Sequence, residues 1–129
     1  MFAHWYRAPE ILLAHHAYGY SCDVWSMGIV LVEMAIGTAP LADSSEIGMM
    51  FKMFRKFGTP KQALWSELAW MHEYIGEFGT CPFPSFPPPQ TFPYEIYCLD
   101  GIQLARAMLQ LSPSLRVRAD HATAHAWFR

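Results

Sequence analysis

Apolar positions crowd one stretch of this chain. From Val24 to Ile36 only Ser26 and Glu33 interrupt them. Within residues 21–37, SCDVWSMGIVLVEMAIG, the pattern is hydrophobic nearly all round, which predicts a core helix. Asp23 is placed to cap it and Gly37 to end it. A second helix is predicted in DSSEIGMMFKMFRKFGTP. Asp43 and Glu46 have capping-box spacing, and Ile47, Met50, Phe51 and Phe54 follow the i, i+3, i+4, i+7 rule before Gly58 and Pro60 stop it. Residues 100–111 repeat the scheme. Asp100 is the expected cap, Ile102, Ala105, Met108 and Leu109 the stripe, and Pro113 follows. A short last helix is predicted over Ala119–Phe128.

Between Gly58 and Leu99 the pattern changes. After Trp65 and Trp70 comes TCPFPSFPPPQTFP, in which six of fourteen residues are proline. That density excludes helix and central strand and predicts an extended path. No alternating strand pattern and no internal repeat is visible. The expected body is all helical, with one long irregular excursion.

Composition sharpens this picture at one point. Of the 129 residues, 53% are hydrophobic and 16% charged, against about 25% charged in an ordinary domain. Such a chain covers its surface poorly, so part of its apolar surface is expected to lie against a partner. The net charge of −2 and the lack of a basic run exclude phosphate-driven nucleic-acid binding. The cysteines, Cys22, Cys81 and Cys98, are odd in number and far apart, which suits a reducing compartment. The 13-residue apolar run is short of the roughly 20 needed to span a bilayer, and the start carries no secretory pattern. The expectation is a soluble protein of the cytoplasm or nucleus, with no membrane contact.

The chemistry-bearing residues open the chain. Trp5-Tyr6-Arg7-Ala8-Pro9-Glu10-Ile11-Leu12-Leu13 resembles the end of the activation segment in the cyclin-dependent and mitogen-activated branch of the protein kinases (the CMGC group). Thirteen positions after Glu10, Asp23-Val24-Trp25-Ser26-Met27-Gly28 is similar to that family's D-x-W-S-x-G. DSSEIGMMFKMFRKFGTP and LQLSPSLRVRADHATAHAWF resemble two later elements in the same order. The resemblance covers nearly the whole chain and implies the mainly helical C-terminal lobe of the protein-kinase fold. That lobe is incomplete, because no Gly-rich phosphate loop, H-R-D or D-F-G motif occurs.

On this reading residues 1–20 are the end of the activation segment and the following loop, and 21–58 the central and following helices. Residues 59–98 are a Trp/Pro-rich insert and 99–129 the closing helices. Residue 1 then falls inside an activation segment.

The resemblance also implies roles. Glu10 and Arg116 would form a buried ion pair, with Arg118 the competitor for that place. Trp5 and Arg7 would floor the pocket for the residue after the phosphoacceptor, unless Trp5 is simply core and Arg7 a rim cation. Asp23 would cap its helix and, in the family, also accepts bonds from the catalytic loop; Trp25 is structural. Ala3 departs from the family's usual Thr, which puts phosphotransfer in doubt.

No catalytic, cofactor-binding or metal residue is expected in this chain. The family's ATP and Mg would be held elsewhere, and the chain alone is expected not to catalyse. His121 and His125 have metal-ligand spacing but no third ligand. Pro84 to Pro87 matches P-x-x-P without a flanking base.

The implied reaction is transfer of the ATP γ-phosphate to Ser or Thr of proline-directed protein substrates, with a cyclin-like or scaffold partner. The rival is a non-catalytic interaction module that binds kinase partners or substrates. One further expectation concerns the long helix: without a covering partner, Val24, Met27, Val30 and Leu31 would form an open apolar patch.

Overall fold

In the computed structural model, residues 5–12, 19–58, 90–96 and 98–128 are described, apart from the side chains of 46 and 47. Among these residues the structure is helical, with no strand. A single turn, α1 (Pro9–Leu12), precedes the long α2 (Ser21–Ile36), which is followed by α3 (Glu46–Phe57) and α4 (Leu99–Met108). A 3₁₀ turn at Pro113–Leu115, the short α5 (Ala119–Thr123) and a second 3₁₀ turn at Ala126–Phe128 close the chain. Most of residues 59–98, together with Ala3, His15, His16 and the P-x-x-P stretch, lie outside the described residues.

The core is built on α2. Trp25, Ile29 and Val32 are fully buried, each such apolar side chain contributing roughly 1.5–3 kcal/mol. They pack with Met49, Met50, Met53 and Phe54 of α3, with Leu41, and with Ala105 and Leu109 at α4. A smaller cluster of Val24, Leu104, Met108 and Ala122 joins α2, α4 and α5. Close approach of α2 and α4 depends on Gly28, where a Cβ would meet the Leu109 side chain at 2.8 Å. Gly37 ends α2 in the left-handed region, φ 83°, and its N–H returns to the Glu33 carbonyl at 2.8 Å.

Several element ends differ from expectation. Asp23 does not cap α2: the helix begins two residues earlier, at Ser21, behind a Tyr20 that makes no side-chain cap. Exposed in the first turn, Asp23 still complements the positive end of the helix. The cap of α3 is Ser45, whose Oγ accepts the Gly48 N–H at 3.0 Å. Asp43 instead accepts the Ser45 N–H at 3.1 Å, an Asx turn leading into the cap. That N–H first of all, with help from Lys52 at 3.5 Å, holds the Asp43 carboxyl below its ordinary value.

The buried stripe of α3 is Met49, Met50, Met53 and Phe54, with Phe51 only half buried. Met50 and Phe54 are buried as the stripe requires, Phe51 falls at its edge, and Met49 and Met53 share the buried face, where flexible methionines suit an irregular interior. Ile47's side chain lies outside the described residues. Asp100 likewise sits in the first turn of α4, where Cys98 occupies the cap position. The last predicted helix breaks after Thr123, where Ala124 and His125 turn the chain.

The long helix is not buried all round. Val24 is covered, whereas Met27, Val30 and Met34 are 58%, 36% and 73% exposed. The open face therefore runs along the 27–30–34 stripe and leaves out Val24.

Candidate functional site

The site is assembled around the turn that carries α1. Ala8 starts it: its carbonyl accepts the N–H groups of Ile11 and Leu12 at 3.1 and 3.2 Å, and Pro9 fills the first helical position, where a missing N–H costs nothing. This turn delivers Glu10 into the interior, only 2% exposed.

Arg116 meets it there. Nη1 donates to one Glu10 carboxylate oxygen at 2.6 Å and Nη2 to the other at 2.7 Å. The remaining donors go to backbone carbonyls: Nη1 to Ser21 at 3.0 Å, Nη2 to Leu111 at 3.1 Å and Nε to Gln110 at 2.7 Å. All five guanidinium N–H bonds are used, so the buried charge is fully solvated by protein. Beneath it lies Trp25, its ring 5.1 Å from the guanidinium carbon. Arg118, the other candidate, is exposed and pairs with Asp120 at 3.3 Å.

Trp25 also packs edge-on against Phe57, centroids 5.5 Å apart. Its indole N–H is buried without a partner among the described residues.

Next to the pair runs the segment 5–7. Trp5 is half buried against the core, and its indole N–H donates to the Asp43 carbonyl at 2.8 Å. Arg7 is exposed. Between them, the Tyr6 hydroxyl donates to Glu33 at 2.7 Å, and the Tyr6 carbonyl accepts the Ser26 hydroxyl at 2.6 Å. The bond to Glu33, more than burial, raises the Tyr6 phenol above its ordinary pKa.

Ser26 and Glu33 are the residues that sequence reasoning missed. Both stood out as the polar interruptions of an apolar run, and a half-buried polar side chain in such a run must find a partner. That signal was present; the partner's identity was not.

The sequence-marked residues thus fall into two neighbouring sets. Glu10, Arg116 and Trp25 form one buried knot, and Trp5 and Arg7 lie on the segment leading into it. Asp23 stands apart on the exposed first turn of α2.

His121 is exposed, and His125 Nδ1 accepts the Trp127 N–H at 3.1 Å. Among the described residues no group of three His, Cys, Asp or Glu side chains is arranged to hold a metal ion. Nor is any helix among them long and apolar enough to cross a membrane.

An element ending in Ala-Pro-Glu, locked by its Glu to an Arg late in the chain, is an arrangement of the protein kinase domain. That domain matches residues 1–128, and the chain belongs to its family. Among known proteins, the chain is 33% identical over 128 residues to Cyclin-dependent kinase D-1 of Oryza sativa subsp. indica. The match covers 99% of this chain and 29% of that protein. The same figures hold for Cyclin-dependent kinase D-1 of Oryza sativa subsp. japonica. The chain therefore spans about 29% of the length of these curated relatives.

Proposed function

We propose that these residues are part of the helical C-terminal lobe of a cyclin-dependent-type serine/threonine kinase, and that they seat a proline-directed peptide for phosphorylation. Residues 1–20 would end the activation segment, 21–58 form the central helices, 59–98 the insert and 99–129 the closing helices. Trp5 and Arg7 floor the pocket for the residue after the phosphoacceptor. Transfer of the ATP γ-phosphate, with Mg, is the work of groups outside these residues, so this chain alone does not catalyse. A cyclin-like or scaffold partner and a cytoplasmic or nuclear location accompany this reading.

The observation that carries it is the fully bonded Glu10–Arg116 pair, at 2.6 and 2.7 Å. It ties the end of the 5–10 segment to the lobe and gives a substrate peptide a fixed surface. The test is fluorescence anisotropy of the chain with labelled peptides containing Ser-Pro or Ser-Ala. Preference for Ser-Pro, abolished by Arg7→Ala, is the expected result; equal binding of both peptides by the unmodified chain rejects the proposal.

One observation favours a second reading, a non-catalytic interaction module: the exposed Met27, Val30 and Met34 stripe on α2. In that case kinase partners would bind through this stripe, and lysine at these positions would abolish capture while Arg7→Ala would not.

A further inference from the structure

The end of α2, the segment before α4 and one face of α4 enclose a groove of about 660 Å³. Ligand sites commonly occupy about 300–1,000 Å³. Ile36, Phe92, Ile96 and Ile102 give the groove its apolar wall, and none of the four is fully buried. Covering them would remove apolar surface from water.

The wall also carries two charges, Glu95 and Arg106, both exposed. Arg106 lies in the last turn of α4, four residues beyond Ile102 and on the same face. Ile96 marks the other end of that helix, since a Cβ on Gly101 would meet its Cγ2 at 3.1 Å. Glu95, its neighbour in the chain, therefore stands toward the start of α4. The two charges do not pair with each other. Among the described residues neither side chain has an ion-pair or hydrogen-bond partner. The groove thus has an apolar middle, an unused carboxylate near one end and an unused guanidinium near the other.

We propose that this groove binds a short extended segment of a partner protein, in which an apolar side chain stands between a basic and an acidic one. Charge complementarity selects that occupant. A ligand of one sign gains at one end of the groove and loses at the other. Spacing selects the extended form. Ile102 and Arg106 are about 6 Å apart along α4, at about 1.5 Å per residue. Residues two apart in an extended peptide point to the same side and are separated by nearly that length, at about 3.3 Å per residue. The peptide can lie in either direction, so what matters is that opposite charges flank the apolar residue. No residue of the 5–7 segment or of the Glu10–Arg116 pair takes part, so the proposal stands independently of the substrate seat.

Fluorescence anisotropy of the 129-residue chain with labelled pentapeptides tests this. The probes are Lys-Ala-Leu-Ala-Asp, Lys-Ala-Leu-Ala-Lys and Asp-Ala-Leu-Ala-Asp. Each carries a neutral dye at its N-terminus and an amidated C-terminus, so that only side chains are charged. The mixed peptide should bind about threefold more tightly than either like-charged one, the scale of an exposed charge contact. Replacing its Leu by Ala should cost more than either charge change. Arg106→Glu should transfer the preference to the doubly basic peptide, and Glu95→Lys to the doubly acidic one.

Absence of binding overturns the proposal, as do affinities that ignore peptide charge or that neither variant moves. A preference of the unmodified chain for the doubly acidic probe would leave Glu95 without a role, and for the doubly basic probe Arg106; either result also overturns it. The two variants stand on separate elements, so the test stays decisive if one of them does not fold.

Discussion

Arg116 and Glu10, 106 residues apart, share a two-pronged ion pair in which both side chains are essentially excluded from solvent. One end of the described chain is thereby joined to the other through a single buried contact, with Trp25 stacked beneath it. Removing either partner strands the other's charge, at a cost of about 3–5 kcal/mol. Glu10→Ala and Arg116→Ala should each lower stability by that order in urea melts, and the double variant should lose far less than the sum. Arg116→Lys should behave nearly as badly, since an ammonium cannot reach both carboxylate oxygens and three carbonyls. Additive losses would contradict the coupling.

Gly28 makes a second prediction. Its small size lets α4 lie against α2, and a methyl there would meet Leu109 Cγ at 2.9 Å and Met108 Cβ at 3.0 Å. Alanine improves helix propensity by about 1 kcal/mol, but overpacking costs about 1–3 kcal/mol. Gly28→Ala should therefore be destabilising on balance, and Gly28→Val clearly more so. Melting temperatures in that order check it; a stabilising Gly28→Ala would show that α4 yields freely.

Where sequence was legible, a short-range pattern determined the outcome. Apolar periodicity located α2, α3 and α4, and Gly37 marked the end of α2 because a positive φ admits little else. The caps of α2, α3 and α4 were misplaced by two or three residues; where Asp and Ser stand within a few positions they compete for the role, and which of them caps depends on the entering turn. Asp43 and Ser45 show this: both are good caps, and the Asx turn gives the place to Ser45. The Glu10–Arg116 contact could be anticipated only through family resemblance, since nothing local in either segment points to the other. Ser26 and Glu33 were visible as anomalies but not as partners of Tyr6, because long-range pairing leaves no trace in helical periodicity.

Tyr94 supplies a pH prediction. Its ring lies among Phe57, Phe92 and the ammonium of Lys56, and its hydroxyl is buried with no partner among the described residues. Burial raises the phenol far above its ordinary value. The unfolded chain releases this proton near pH ~10, whereas the folded protein retains it, so stability is present below that pH and falls as pH rises beyond it. Tyr94→Phe should flatten this alkaline decline. It should also gain up to about 1 kcal/mol at neutral pH, by removing a polar atom whose burial is uncompensated. A loss of stability in Tyr94→Phe at pH 7 would reveal a hydrogen bond to the hydroxyl.

The last prediction concerns the open face of α2. Met27, Val30 and Met34 recur at i, i+3 and i+7, so they line one side of the helix, and they are 58%, 36% and 73% exposed. Single exposed apolar residues are ordinary, but a contiguous stripe marks a docking surface or a site of association. Only 16% of the chain is charged, which leaves little to keep such a stripe apart from its copies. The 129-residue chain should therefore bind the apolar dye ANS and self-associate at roughly micromolar concentration. Met27→Lys with Met34→Lys should suppress dye binding and light scattering without lowering the melting temperature, because neither side chain belongs to the core. If the double variant still scatters, association runs through another surface; if it unfolds, the stripe is packed after all. A monodisperse, dye-silent wild-type chain would mean that the stripe is too narrow to act as an interface.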